Sequence, residues 1–267
     1  MLDYAALNAL AAVVREGSFD RAARALHVTP SAVSQRVRLL EQELTDTLPV
    51  LVADGPTRVP LPVAVNADSL ATWFAPALAA FAADAPVLVE LSVDDQDHTA
   101  EWLRTGAVVA AVTSAARPAT GCNSRPLGVM RYLAAASPAY VARYLAQGVG
   151  AGSLAQAPSL LFNTKDELQA TWVRRLCHRH VELPRHTLPS PQAFVTAALA
   201  GMGWGMFPQE MVADHLTDGL LVELVPDTPL DVPLYWQTAR AASGLLDGLT
   251  RQIVAAARAA LLPERGS

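Results

Sequence analysis

Residues 28–37 read VTPSAVSQRV, and they place serine, glutamine and arginine in a segment whose apolar residues have helical spacing. The apolar face of this segment consists of Val33, Val37, Leu40 and Leu44. The opposite face consists of Ser31, Ser34, Gln35, Arg38 and Gln42. Pro30 suits the first turn of a helix, because its missing N–H has no intrahelical partner there in any case. The stretch therefore predicts an amphipathic helix with a polar face suited to hydrogen bonding.

Two further helices are predicted just before it, separated by Gly17, which can end a helix, and Ser18, which can cap the next one. The apolar face of the first consists of Leu7, Leu10, Ala11 and Val14. The apolar residues of the second are Phe19, Ala22, Ala23 and Leu26. Because alanine is small, Ala22 and Ala23 allow two helices to approach closely at a steep angle. Three helices in this order, with the short turn HVT before the third, predict a helix-turn-helix.

The polar face of the third helix is a candidate DNA-binding surface, because a recognition helix lies in the major groove. The candidate DNA-binding residues are Thr29, Ser31, Ser34, Gln35, Arg36 and Arg38. Hydroxyl and amide groups can bond to base edges, and arginine can reach guanine or phosphate. The alternative is a merely solvated face, which surface helices more often build from glutamate and lysine. Residues 1–44 hold five arginines and five acids, so this unit needs dimerisation or further basic contacts to hold DNA.

The composition limits the class of protein. The chain has 267 residues, of which 52% are hydrophobic, and this is enough for two or three compact units. Its net charge of −5 means that any DNA must meet a local surface rather than the molecule as a whole. Cys122 and Cys177 are too few for a disulfide framework. The N-terminus has no secretory signal, and no uncharged apolar run reaches spanning length. We therefore expect a cytoplasmic protein with no membrane partner.

From residue 61 onward, predicted strands alternate with predicted helices. The strands fall within 61–69, 86–95 and 107–114, and near 158–162, 185–188 and 203–207. The later helices fall at 166–178, 191–200 and 242–261. This alternation predicts a parallel sheet with helices on both faces. Strands near 127–136 and 231–239 are placed to cross between two α/β lobes.

These segments resemble a known family. SFDRAARALHVTPSAVSQRVRLLEQEL, residues 18–44, resembles the N-terminal domain of LysR-type transcriptional regulators. VAVNADSLATWFAPAL, DDQDHTAEWLRTGAVVAAVTS, PLGVMRYLAAASPAY and DVPLYWQ resemble a narrower branch, the ArgP/LysG-type regulators of basic amino acid export. The resemblance implies an N-terminal all-α helix-turn-helix domain followed by a two-lobed, periplasmic-binding-protein-like α/β effector domain. It also implies a DNA-binding transcriptional regulator, not an enzyme, that senses L-lysine or L-arginine and controls amino acid export or metabolism genes.

Residues 45–60 depart from the family pattern, in which a β-wing and a long linker helix follow the recognition helix. Pro49, Pro56 and Pro60 forbid a continuous helix here, so most of the wing and the linker helix are missing. We therefore predict a winged helix-turn-helix domain with a truncated wing at 1–47, a shortened linker at 48–60 and an effector-binding domain at 61–267. Lobe I of that domain comprises about 61–130 and 236–267, and lobe II comprises about 131–235.

The missing linker helix bears on the partners, because that helix forms the dimer's coiled coil in the family. We expect a homodimer or tetramer weaker than in full-length relatives, and weaker binding to double-stranded operator DNA. RNA polymerase is a further candidate partner. The alternative function is a ligand-binding, degenerate or decoy regulator without productive DNA binding, which the short segment at 45–60 favours.

The candidate effector site lies outside the carboxyl ends of the strands, where open α/β sheets bind ligands. Polar residues near these ends are Asp68, Ser69, Asp94, Asp95, Asp97, Thr113, Asn163 and Ser190. Asp68 or Ser69 can cap a helix, and Ser69 can also present a helix N-terminus to a carboxylate. The aspartates at 94–97 can form a solvated turn, or one of them can pair with the cation of lysine or arginine.

Two other motifs carry weaker signals. CHRH, residues 177–180, matches no standard zinc-ligand spacing. GMGWGMFP, residues 201–208, follows a helix and enters a strand, which is the wrong order for a phosphate-binding loop. We therefore predict no metal site and no cofactor other than the effector, and we interpret the glycines as a means of close packing.

Overall fold

The computed structural model describes residues 4–40, 59–85, 87–94, 102–103 and 105–263. Three helices form the N-terminal unit: α1 at Tyr4–Glu16, α2 at Phe19–Ala25 and α3 over residues 30–40. Gly17 ends α1 with a φ of 69°, in the left-handed region that favours glycine. Ser18 Oγ accepts a hydrogen bond from the Arg21 N–H at 3.2 Å and so caps α2. The predicted boundary between the first two helices is therefore confirmed.

The buried face of α1 is not the predicted one. α1 buries three of its five alanines, Ala6, Ala9 and Ala12. The residues predicted to be buried all lie outward: Leu7, Leu10, Ala11 and Val14. The physical reason is the close approach of α1 and α2, because Ala9 and Ala12 pack in one cluster with Ala22 and Ala23. Phe19, which was predicted on the apolar face of α2, is also exposed.

The apolar face of α3 agrees with the sequence. Val33, Val37 and Leu40 are all buried, and Leu44 lies outside the described residues. Val33 and Val37 join the alanine cluster of α1 and α2, so the third helix is fixed against the other two by its apolar side. Its polar side is consequently directed away from the core of the unit.

Nine strands build the second unit within the described residues. They are β1 Val59–Asn66, β2 Val87–Asp94, β3 Ala110–Thr113, β4 Cys122–Ala136, β5 Ser159–Leu161, β6 Arg185–Thr187, β7 Gly205–Pro208, β8 Val222–Glu223 and β9 Leu230–Ala239. The main sheet has the order β2-β1-β3-β9-β4-β7, with β8 also paired to β4. β1 is parallel to β2 and β3, whereas β9 is antiparallel to β3 and β4. β5 and β6 form a separate parallel pair.

The long strands β4 and β9 connect two lobes, as the sequence predicted. The far end of β9 pairs with β3 in lobe I, and the far end of β4 pairs with β7 and β8 in lobe II. β4 and β9 pair with each other along the whole of β9, with a register shift between Pro126 and Gly128. The chain returns to this point after its last helix, because Val129 and Leu262 exchange two backbone hydrogen bonds of 2.8 and 3.0 Å.

Helices cover both lobes. α4 is α-helical at Ala67–Ser69, π-helical at Leu70–Phe74 and α-helical again at Ala75–Asp84. The others are α5 Pro138–Tyr144, α6 Ala151–Leu154, α7 Leu168–Cys177, α8 Pro191–Leu199, α9 Gln209–Thr217 and α10 Ser243–Ala260. The helices predicted at 166–178, 191–200 and 242–261 are confirmed to within two residues. α5, α6, α9 and the π-helical segment were not predicted.

Each lobe has an aromatic core that holds the strand ends in place. In lobe I, α4 and α10 pack together, and Phe74 lies 6.2 Å from the ring of Trp236 on β9. In lobe II, Trp172 of α7 lies 5.3 Å from Trp204, and both are fully buried. Gly203 permits this packing, because a Cβ there would lie 2.7 Å from the side chain of Leu160. The close-packing role predicted for the glycine-rich segment is therefore confirmed.

Candidate functional site

The polar face of α3 forms an open surface on the N-terminal unit. Ser31, Ser34, Gln35 and Arg38 are exposed and line one depression together with Leu39. Their hydroxyl, amide and guanidinium groups offer the donors and acceptors that base edges and phosphates require. The structure thus brings together four of the six residues that the sequence predicted as DNA contacts.

The other two predicted DNA contacts have different surroundings. Thr29 Oγ1 accepts a hydrogen bond from the Ala32 N–H at 3.2 Å, and it lies 3.0 Å from Ser31 Oγ. Thr29 therefore caps α3 while it remains exposed. Arg36 is half-buried and is not among the residues that line the depression. Contact with DNA stays a prediction for all six.

A cavity of about 290 Å³ lies between the two lobes, beside the crossover strands. Lobe I contributes the end of β1, the start of α4 and Ser114 just after β3. Lobe II contributes residues that follow β5 and the first turns of α7, and the start of β9 completes the wall. The charged residues of the lining are Asp68, Lys165, Asp166, Glu167, Arg175 and Asp231. Because acids outnumber bases here, the cavity favours a ligand with net positive charge.

Asp68 is the acid at the start of α4. Its Oδ2 accepts a hydrogen bond of 2.8 Å from the Tyr132 hydroxyl. Within the described part of the chain, no arginine, lysine or histidine pairs with Asp68. Desolvation raises the pKa of Asp68 to about 6, the Tyr132 bond acts to lower it, and the charge of Asp166 raises it further. A cationic group of a ligand would offset the cost of ionising the desolvated Asp68 carboxyl group.

The other two aspartates of the lining already have strong partners. Asp231 forms a bidentate ion pair with Arg131, with two N–O distances of 2.8 Å. Asp166 accepts hydrogen bonds from the backbone N–H groups of Phe162 at 3.0 Å and Leu168 at 3.1 Å. These bonds fix the turn between β5 and α7. Both carboxylates thus have a structural task, which Asp68 lacks.

Asn66 forms another part of the lobe I wall. It is the N-cap residue of α4, but its side chain makes no capping hydrogen bond. The side chain is only 2% exposed, and neither Oδ1 nor Nδ2 has a hydrogen-bond partner in the described residues. The sequence placed Asn66 at a strand end but did not single it out for effector binding. The prediction that Asp68 or Ser69 caps this helix is wrong, because Asn66 takes the N-cap position.

The remaining predicted effector residues lie near the cavity or behind it. Ser69 is fully buried, does not line the cavity, and its Oγ has no partner in the described residues. Thr113 is also fully buried and accepts a hydrogen bond from the Ala115 N–H at 3.1 Å. Asn163 Oδ1 accepts from the Lys165 N–H at 2.8 Å, and Ser190 Oγ caps α8 by accepting from Ala193 N–H. Contact with an effector stays a prediction for these four.

The predicted acidic cluster at 94–97 is only partly described. Asp94 is the last residue of β2, and its backbone is in register with Asn66 of β1. Asp95 and Asp97 lie outside the described residues. Sequence reasoning missed Asp166, Asp231 and Tyr132, and only Asp166 carried a signal, because it opens the helix predicted at 166–178.

The described ranges contain neither a metal-binding cluster nor a membrane-spanning helix. No set of three or more histidine, cysteine, aspartate or glutamate side chains converges as a metal-binding group there. None of the helices in those ranges is long and apolar enough to cross a membrane.

Comparison with known proteins assigns the unit with the α3 face and the unit with the cavity to two domains of one family. Residues 4–52 match the family described as bacterial regulatory helix-turn-helix protein, lysR family, and residues 55–260 match the LysR substrate binding domain. The transcriptional regulator LysG of Mycobacterium tuberculosis is 42% identical over 288 residues, covering 96% of this chain and 94% of its own. That alignment is longer than this chain of 267 residues, so the relative carries residues that this chain lacks.

Solved structures agree with the sequence matches. The C-terminal domains of a LysR family protein from Agrobacterium tumefaciens superpose with a TM-score of 0.76 at 54% identity, covering 78% of this chain and all of that one. Full-length LysG from Corynebacterium glutamicum, with arginine bound as effector, superposes with a TM-score of 0.73 at 32% identity. It covers 98% of this chain and 100% of its own.

Proposed function

The chain belongs to the LysR family of transcriptional regulators, and we propose that the cavity between its lobes binds L-lysine or L-arginine as effector. The observation that carries this proposal is Asp68, a carboxylate on the cavity wall with no cationic partner in the described chain. Taking a carboxylate out of water is costly unless a cation meets it. The arginine bound to the Corynebacterium glutamicum relative supports this choice of ligand class.

In this proposal the side-chain cation of the effector pairs with Asp68. The apolar side chains of Phe162, Leu168 and Leu230 also line the cavity, and they suit the methylene stem of lysine or arginine. Lys165 and Arg175 add positive charge to the same lining, which favours the effector's carboxylate. An effector held by both lobes shifts the population toward a closed arrangement, and this change would alter how the protein acts at its operator.

The effector is tested by thermal unfolding at pH 7.5 with L-arginine, L-lysine and norleucine. A ligand present at about 100 times its Kd stabilises the folded state by about 2.7 kcal/mol. We expect both basic amino acids to raise the melting temperature at millimolar concentration and norleucine to do much less, because its side chain has no charge. Equal stabilisation by norleucine and lysine, or none by either basic amino acid, would contradict the proposal.

For the N-terminal unit, we propose that the exposed face of α3 binds operator DNA. Gln35→Ala and Arg38→Ala should each weaken binding to the DNA upstream of the gene by about 1–3 kcal/mol, the usual size of a base-edge contact. Arg15→Ala is a suitable control, since Arg15 is an exposed arginine of α1. The measurement is a gel shift with purified full-length protein. Unchanged DNA affinity in both α3 variants would refute the assignment.

We also propose that two copies of the chain associate through the α/β unit. RNA polymerase is a further proposed partner of the DNA-bound regulator. β2 ends the main sheet, and its Leu88, Leu91 and Val93 are exposed. An edge strand with apolar side chains is suited to pairing with a second copy. Leu91→Lys should therefore lower the mass measured by light scattering after size exclusion, relative to Glu90→Lys on the same strand. Equal masses for the two variants would exclude this edge as the interface.

A further inference from the structure

Asn66 is a buried polar side chain whose amide makes no hydrogen bond to the described residues. It lines the cavity and is 2% exposed, yet both polar atoms of its amide lack a partner in the described residues. Buried side-chain amides are almost always hydrogen-bonded, because an unpaired polar group costs free energy in the interior. An amide left without partners on a cavity wall therefore indicates that a ligand supplies them.

The position of Asn66 makes this more specific. Asparagine is among the preferred N-cap residues, and its side chain normally accepts a bond from the first turn of the helix. Asn66 occupies the N-cap of α4 without making that bond. The N-terminus of the helix, which carries partial positive charge, is thus left uncapped by this side chain beside the cavity. Both features favour a carboxylate at this place.

We propose that Asn66 selects free α-amino acids by binding the head of the effector, with Nδ2 donating to the carboxylate and Oδ1 accepting from the α-ammonium. An amide offers one donor group and one acceptor side by side, and an α-amino acid head offers the complementary pair. The inference rests on the proposed function, in which Asp68 binds the opposite, cationic end of the same ligand. It implies that decarboxylated amines are poor effectors even though they keep the side-chain cation.

The test uses full-length protein and isothermal titration with L-arginine and with agmatine, which is arginine without its carboxylate. Wild-type protein should bind agmatine at least tenfold more weakly than arginine. Asn66→Ala should weaken arginine binding by about 10- to 100-fold, as expected for the loss of hydrogen bonds to charged groups. The same change should weaken agmatine binding by a clearly smaller factor, because agmatine keeps the ammonium that Oδ1 accepts from but has no carboxylate to receive the bond from Nδ2.

Asn66→Asp should change the affinities for arginine and agmatine in opposite directions, which a loss of structure would not do. The variant has nearly the same shape but places a negative charge where the carboxylate binds, so arginine should bind still more weakly than to Asn66→Ala. Agmatine, which carries only positive charge, should bind more tightly than to the wild type. Asn123→Asp is the matched control, because Asn123 is exposed on β4 and does not line the cavity.

The possible failures are distinguishable. If wild-type protein binds neither arginine nor lysine, the proposed function fails. If it binds arginine and agmatine equally, or if both Asn66 variants weaken the two ligands by the same factor, the effector class stands and the role of Asn66 is refuted. Should the variants not fold, as judged by circular dichroism, the comparison of the two ligands on the wild type still decides.

Discussion

The lobe I wall of the cavity and the wall formed by the crossover strands each contain an aspartate, but only the aspartate on the crossover strands has a cationic partner within the described chain. On the crossover strands, Asp231 of β9 is held by both nitrogens of the Arg131 fork on β4. On lobe I, Asp68 receives a single hydroxyl bond from Tyr132, and its pKa is raised to about 6. A carboxylate that is paired with a cation of the chain stabilises the fold. A carboxylate without such a partner is destabilised by desolvation, and a cationic ligand that pairs with it relieves this cost and gains affinity.

The largest effect is expected from Asp68→Asn. Removing one partner of a desolvated charge pair typically costs about 2–5 kcal/mol of binding, so arginine affinity should fall by about 30-fold or more. Stability without ligand should change the other way and rise by about 1–3 kcal/mol at pH 7, because the variant no longer ionises a desolvated group. Titration calorimetry and urea unfolding measure the two quantities. A loss of both binding and stability would indicate that Asp68 is structural.

Next in size is the dependence of effector binding on pH. The folded-state pKa of Asp68 is raised from 3.8 to about 6, so the proton is held more tightly in the folded protein than in the unfolded chain. Stability without ligand should therefore fall as pH rises from about 4 to 6. Arginine binds the ionised form, so its affinity should drop about tenfold for each pH unit below 6 and level off above 7. Asp68→Asn should abolish this slope. A flat profile in the wild type would exclude Asp68 as the titrating partner.

Tyr132→Phe should have an intermediate effect. The variant loses the hydroxyl that donates to Asp68, and this bond favours the ionised carboxylate, so the pKa of Asp68 should rise further. At pH 7 arginine affinity should decrease by about three- to tenfold, the usual worth of such a bond. The midpoint of the pH profile should move to higher pH, a readout that a simple packing defect does not produce.

The smallest effect is expected on the other side of the comparison. Asp231→Asn breaks an ion pair whose side chains are 25% and 37% exposed, so it should cost no more than about 1 kcal/mol of stability. Arginine affinity should change by less than about threefold. If Asp231→Asn weakened arginine binding as much as Asp68→Asn, the distinction between the two walls would be wrong, and Asp231 would be an effector contact.

The sequence predicted the elements better than it predicted which side chains meet. Strand and helix order follows from local periodicity, and the sequence located β4 and β9 near 127–136 and 231–239. The predicted buried face of α1 was wrong. Alanines and leucines both have helical spacing on α1, so periodicity does not reveal which of the two sets packs against the neighbouring helix. Helix packing at short distance selected the alanines, Ala9 and Ala12.

The site was predicted in outline, and its pairings were not. Asp68 could be found because it follows a strand and opens a helix. Its contact with Tyr132 joins residues 64 positions apart, and the Arg131–Asp231 pair joins residues 100 positions apart. No local pattern distinguishes a paired aspartate from an unpaired one. For the same reason the sequence did not single out Asn66, and only the structure shows that its buried amide has no bond in the described residues.

The bridge between Val129 and Leu262 has a practical consequence for biosensor design. Backbone bonds fasten the end of the chain to β4 beside the register shift at Pro126 and Gly128, and a Cβ on residue 128 would lie 2.7 Å from Leu262 O. A fluorophore attached at Leu262 would therefore travel with the crossover strands and report little of any movement between the lobes. Dyes placed on opposite lobes, such as at the exposed Thr120 and Asp218, would be the better pair for energy transfer.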